Sequence, residues 1–256
     1  MKNDDNIIRH RDEKDAVRIN KYLSEKGICS RREADKLIAQ GRVEINGETA
    51  LIGSKVSEGD LVKLDKKIVS PEKEKRIYMA LNKPVGITCT TDRSIPGNIV
   101  DFINYPERIF HVGRLDKESE GLILMTNDGD IVNKILRASN NHEKEYIVTV
   151  DKPVSDDFLS KMSSGVPILD TVTKPCKVER KGKYVFRIIL TQGLNRQIRR
   201  MCAHFGYNVL KLKRIRIMNI KLGDLTVGSW RYLTKSELKG INILISDSSK
   251  TEDPIS

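Results

Sequence analysis

The run Leu122-Ile123-Leu124-Met125 has no polar residue and is closed by Asn127-Asp128-Gly129. An apolar stretch that short, ended by turn residues, reads as a buried strand. Tyr146-Ile147-Val148-Thr149-Val150 and Tyr184-Val185-Phe186-Arg187-Ile188-Ile189-Leu190 are rich in β-branched and aromatic residues and read as strands too. Tyr78-Met79-Ala80-Leu81 is a further strand, entering Asn82-Lys83-Pro84. Isolated helical stripes lie between these runs: Ile131, Ile135 and Leu136, then Ile198, Met201, Cys202 and Phe205. Strands mixed with single helices predict an α+β domain built on a mainly antiparallel sheet, spanning residues 77–245.

A second, smaller unit is expected at residues 16–65. Ile19-Asn20-Lys21-Tyr22-Leu23 suggests a helix that stops at Gly27. Ser30-Arg31-Arg32-Glu33 has the form of a capping box, with Ala34, Leu37 and Ile38 continuing the stripe to Gly41. Val43-Glu44-Ile45 reads as a strand, and Asn46-Gly47 as a hairpin turn. Residues 66–76 are charged, contain Pro71 and lack periodicity, so a linker is expected there. Residues 1–15 and 246–256 are polar and are expected to be a disordered arm and a flexible tail.

The formal net charge is +11, which points to an anionic partner. A membrane fits poorly, because no stretch reaches the roughly 18 apolar residues of a membrane-spanning helix. The first residues have no apolar core of a secretory signal, and the four cysteines form no Cys-x-x-Cys pair. A cytoplasmic chain with free thiols is expected. Between Thr191 and Arg216 lie Arg196, Arg199, Arg200, Lys211, Lys213, Arg214 and Arg216, with no acid among them. Arg196, Arg199 and Arg200 share one helical face, where like charges repel unless an anion sits against them. Phosphate and a buried carboxylate are the candidate anions, and a solvated basic face is the plain alternative. Lys21, Arg31 and Arg32 make a second basic group, the two arginines lying where a helix N-terminus attracts phosphate.

Residues Arg18 to Leu64 resemble an S4 RNA-binding domain, through Arg18-Ile19-Asn20-Lys21-Tyr22-Leu23, Cys29-Ser30-Arg31-Arg32-Glu33-Ala34, Gly41-x-Val43 and Val56-x-x-Gly59-Asp60. Gly113-Arg114-Leu115-Asp116-Lys117-x-Ser119-x-Gly121-Leu122 resembles the catalytic motif of the RsuA/RluB/RluE/RluF pseudouridine synthases. Lys83-Pro84-x-Gly86, Lys144-Glu145-Tyr146 and Gly193-Leu194-Asn195-Arg196-Gln197-Ile198-Arg199-Arg200-Met201 resemble three further motifs of that group. The last, together with His142-Glu143-Lys144-Glu145-Tyr146, is most similar to the RluF branch. Leu194 stands where sister members carry an arginine.

The resemblance implies conversion of uridine to pseudouridine in structured RNA. The implied substrate is 23S ribosomal RNA or a large-subunit assembly intermediate, with a transfer RNA anticodon stem as a second one. Neither metal nor cofactor is implied, because the isomerisation has no redox change, and a monomer is the default expectation. Asp116 is the implied catalytic carboxylate, acting as nucleophile or as the group that manages the proton at C2′. Taken alone it is one acid among 35, for which a turn or cap is the ordinary role. An acylal, a glycal and a Michael-type path all remain open. Tyr146 is implied to stack on the uracil and relay a proton, and Arg199 to be the counter-ion of Asp116. Arg114, Arg196, Arg200, Lys21, Arg31 and Arg32 are the candidate RNA contacts. The competing reading is an inactive RNA-binding or ribosome-assembly protein on the same fold. Such a copy would be expected to have lost Asp116, Tyr146 or Arg199, and all three are present.

Overall fold

The computed structural model describes residues 16–69, 75–136 and 141–246. The expected arm at 1–15, residues 247–256 of the expected tail and residues 70–74 of the expected linker lie outside them.

The N-terminal unit runs β1 (Val17–Arg18), α1 (Ile19–Glu25), α2 (Arg31–Ala39), β2 (Val43–Ile45), β3 (Glu48–Thr49), β4 (Lys55–Val56), β5 (Val62–Leu64) and β6 (Lys67–Ile68). Ser30 caps α2, its hydroxyl accepting from Glu33 N at 3.2 Å. Asn46 and Gly47 both take positive φ and close the two-residue turn between β2 and β3. Ile19, Leu23, Ala34 and Ile38 meet Val43, Val56 and Val62 in one core. That core also takes in Val69, and β6 pairs with β5. The unit therefore continues past residue 65, where a linker was expected. Asp65 and Lys66, at φ +48° and +64°, form a second hairpin turn inside a stretch whose charge masks it.

The larger unit comprises β7 (Tyr78–Lys83), α3 (Ile99–Ile103), β8 (Phe110–Val112), β9 (Glu120–Thr126), α4 (Gly129–Leu136) and β10 (Lys144–Val150). It continues with α5 (Asp156–Ser163), β11 (Pro167–Ile168), β12 (Thr171–Val172), β13 (Lys177–Gly182), β14 (Val185–Leu190) and α6 (Gln197–His204). β15 (Val209–Ile217), β16 (Ile220–Lys221), β17 (Trp230–Tyr232) and α7 (Lys235–Ile245) complete it. Its sheet has the order β13-β14-β10-β15-β9-β7-β17, with β8 on β9 and β16 on β15. β9 and β15 pair in parallel, and the other described pairings of this sheet are antiparallel. The α+β class expected from the residues is the class observed.

Alternation decides which helix covers which face. Val148, Phe186, Ile188 and Leu212 bury against Phe158 and Met162 of α5 and Ile198, Met201 and Cys202 of α6. β9 is covered on both faces. Leu122 and Leu124 meet α4 and α7, while Ile123 and Met125 meet α3.

The helix α7 carries a full capping box. Thr234 Oγ1 accepts from Glu237 N at 3.2 Å, and the Glu237 carboxylate accepts from Thr234 N at 2.8 Å. Replacing Thr234 by alanine removes one of these bonds and is expected to cost about 1 kcal/mol, read as a lower urea midpoint at unchanged m-value.

Candidate active site

β8 and β9 are antiparallel neighbours, and the segment between them carries Gly113 to Ser119. Ser119 N donates to Asp116 O at 3.0 Å, and Gly86 N donates to Lys117 O at 2.8 Å. Leu115 and Ser119 are buried on either side. These ties hold the backbone while the Asp116 side chain, 28% exposed, stays open to a ligand. Its Oδ2 lies 3.7 Å from both Arg196 Nη1 and Arg199 Nε. Both are ion-pair separations, too long for hydrogen bonds.

The two arginines come from the start of α6, whose burial of Ile198, Met201 and Cys202 turns the polar residues toward the Asp116 segment. Arg196 is the N-cap, at φ +48° and ψ +35°. Arg199 is anchored more firmly. Its Nη2 donates to Ser119 Oγ at 3.3 Å and to Glu118 O at 3.4 Å, and its Nη1 donates to Val209 O at 3.2 Å. The buried Nε makes no hydrogen bond and faces the carboxylate. Glu118 sits beside the pair, with Oε2 3.1 Å from Arg196 Nη2.

A cavity of about 720 Å³ opens beside Asp116 and is lined by Arg114, Tyr146 and Arg196 among others, a size that accommodates a nucleotide. Tyr146 projects from β10, and the guanidinium of Arg214 lies 6.0 Å from its ring centroid. Arg114 is exposed at this cavity, while its backbone oxygen accepts from Arg214 Nη1 at 3.5 Å. The structure thus brings together Asp116, Tyr146, Arg199, Arg196 and Arg114.

The other expected contacts lie elsewhere. Arg200 is exposed and folds back onto Asn195, donating to its backbone oxygen at 3.1 Å and its side-chain oxygen at 3.2 Å. Arg31 and Arg32 are exposed in the first turn of α2. Lys21 is directed into the junction between the two units, with Nζ 3.0 Å from Asp130 Oδ1 of α4 and 3.3 Å from Glu25 Oε1. Its charge is thus committed within the protein. Lys144 and Arg214 line the cavity but were not singled out as site residues. For Lys144 the signal was its place two residues before Tyr146, on the same face of a strand. Arg214 was hidden among the surrounding cations.

The family model described as "RNA pseudouridylate synthase" matches residues 77–204, and the S4 domain model matches residues 17–62. The chain is 58% identical, over 240 residues, to the "Dual-specificity RNA pseudouridine synthase RluF" of Shigella flexneri and of Escherichia coli. The match takes in 93% of this chain and 83% of each relative. The chain belongs to the RNA pseudouridylate synthase family. A synthase of Bacillus subtilis, "Ribosomal large subunit pseudouridine synthase B", is 33% identical over 89% of this chain and 96% of its own length. A solved structure titled "Crystal structure of pseudouridylate synthase" superposes with a TM-score of 0.65 at 31% identity, over 88% of this chain and all of that one. The synthase is therefore an isomerase that forms pseudouridine in RNA and carries an S4 domain for RNA binding. Among the described residues no helix is long and apolar enough to cross a membrane.

Proposed function

We propose that this synthase modifies a uridine of 23S ribosomal RNA, free or in a large-subunit assembly intermediate, and a uridine in the anticodon stem of a transfer RNA. The names of its relatives support more than one target and, for one relative, a ribosomal one: "dual-specificity" for the RluF proteins and "ribosomal large subunit" for the Bacillus subtilis protein. Asp116 is the catalytic carboxylate, Tyr146 stacks on the flipped uracil and relays a proton, and Arg199 is the counter-ion of Asp116. The observation that carries these roles is the carboxylate held 3.7 Å from two guanidinia at a nucleotide-sized cavity. Arg199 is fixed by three other hydrogen bonds, so it holds its charge beside Asp116 without covering it. Arg114 and Arg196 meet the phosphates flanking the target, and the S4 unit, through Arg31 and Arg32, supplies a second RNA contact. That second contact suits action as a monomer in the cytoplasm, with no metal or cofactor.

The test is to incubate purified full-length protein with unmodified 23S and transfer RNA transcripts, adding no cofactor. Carbodiimide-dependent stops of reverse transcriptase then map pseudouridine. A single new stop in each RNA is expected. The absence of a new stop from either RNA would refute its assignment as a substrate.

A further inference from the structure

Two cations, Lys144 and Arg214, line the cavity, and a third, Lys83, lies near Asp116 and Arg214. Lys83 is fully buried, and its Nζ donates to Pro84 O and Ile87 O, both at 2.8 Å, so its place is structural. Arg214 and Lys144 differ. Arg214 is 3% exposed, with Nε donating to Leu122 O at 2.7 Å and Nη1 to Arg114 O, whereas its Nη2 is buried with no partner. Lys144 is 7% exposed and donates to His142 O at 3.1 Å, leaving two of its three N–H groups unused. Neither forms an ion pair among the described residues. Burying cations without a carboxylate is costly, and such an arrangement suits an anion that arrives or develops later.

We propose that Lys144 and Arg214 form a cationic floor that holds the uracil ring as an anion while it is detached from the ribose. This rests on the reading of Asp116 as the catalytic carboxylate. The C1′–N1 bond breaks and its electron pair stays on the uracil, spread over N1, O2 and O4. An oxygen of Asp116 supplies the pair that C1′ loses. After the ring turns, C5 bonds to C1′, the carboxylate leaves with its own pair, the C5 proton passes to solvent and N1 takes one up, so that no net proton is gained or lost. No oxidant, reductant or co-reactant is required. Neutral uracil needs only hydrogen bonds. Two full charges favour the anion over the ground state, which is the condition for accelerating the step.

The charge on the floor depends on pH. Burial, followed by the nearby Arg214, pushes the Lys144 ammonium down to about 8. The groups sharing its surroundings are Arg214 of β15, Tyr146 of its own strand, His142 before it, His111 of β8, Arg114, Asp116 and Lys117 of the loop, Cys89, and Arg196 at the start of α6. The ammonium is present below this pKa and is lost above it, so the rate should fall as pH rises through about 8.

The experiment follows tritium release from uracil C5 in ribosomal and transfer RNA transcripts under single-turnover conditions, with RNA affinity measured by filter binding. Lys144→Gln and Arg214→Gln, which each remove one charge, should each slow release about 100-fold while the Kd for RNA changes by less than about threefold. Lys144→Arg, charged throughout the range, should stay within about tenfold of wild type and lose the alkaline fall. Release within about threefold of wild type in the first two variants, a loss confined to affinity, or an unchanged alkaline fall in Lys144→Arg would overturn the proposal. Should either neutral variant not fold, the other and the Lys144→Arg profile still decide. Activity persisting in Asp116→Asn is a separate result and overturns the site reading instead.

Discussion

Asp116→Asn is expected to abolish pseudouridine formation and to leave folding and RNA affinity intact. Asparagine has the same shape and can keep the turn in which Asp116 O accepts from Ser119 N. What it loses is the negative charge, and with it the oxygen that could serve as nucleophile or base. Because the carboxylate is partly exposed and 3.7 Å from its partners, its ion pairs are worth little to stability. The cost falls on chemistry, by at least about 10³-fold, the scale of losing a nucleophile or a positioned acid or base. Removing an anion from a site that receives RNA should if anything tighten binding, which a gel-shift titration would show as an equal or lower Kd. Turnover within about tenfold of wild type would remove Asp116 from the mechanism.

Gly121→Ala should damage the fold and the site together. Gly121 has φ +108°, where a side chain is strained, and a Cβ there would collide with Arg214 O and lie 2.7 Å from Arg214 N. Both clashing atoms are backbone, so no side-chain rotation relieves them. Gly121 and Arg214 are bridge partners in the parallel pairing of β9 with β15, and the strands would have to part. Backbone strain and overpacking together amount to roughly 3 kcal/mol, or a fall in Tm of about 6–12 °C for a unit of this size. Because Arg214 also binds Leu122 O and Arg114 O, moving its backbone disturbs both ends of the Asp116 segment. Activity should therefore fall further than the unfolded fraction accounts for. A variant with wild-type Tm and turnover would mean that the close approach is not required.

Strands whose apolar residues alternate or run unbroken were legible in the sequence, as were the helices with a clear stripe. β9, β10, β14 and α6 all form where periodicity predicts them. The misses have physical causes. β15 was read only as a block of cations, because Lys211, Lys213 and Arg216 conceal the alternation and the position that faces the core beside Leu212 holds an arginine. β6 was hidden by its charged turn. α7 carries a readable signal in Thr234-x-x-Glu237 followed by Leu238, Ile241 and Ile245. The pairing of Asp116 with Arg199 was anticipated from the resemblance alone, and the structure places the two 3.7 Å apart. Arg214 could not be found locally. Its meaning comes from strand order, which sets β15 between β9 and β10 and so brings Arg114, Leu122 and Tyr146 around one guanidinium.

The parallel junction of β9 and β15 also fixes when the site comes into being. Gly121 must wait for Arg214, far along the chain, before the strand behind Asp116 gains its neighbour. Contacts of such long sequence separation form late, because the closing loop must first be ordered. A ribosome that has released the chain only as far as Leu190 has exposed Asp116 and Tyr146, but not Arg196, Arg199 or Arg214. Its S4 unit, complete by Val69, is already outside. The nascent protein thus acquires its means of holding RNA well before its means of altering it.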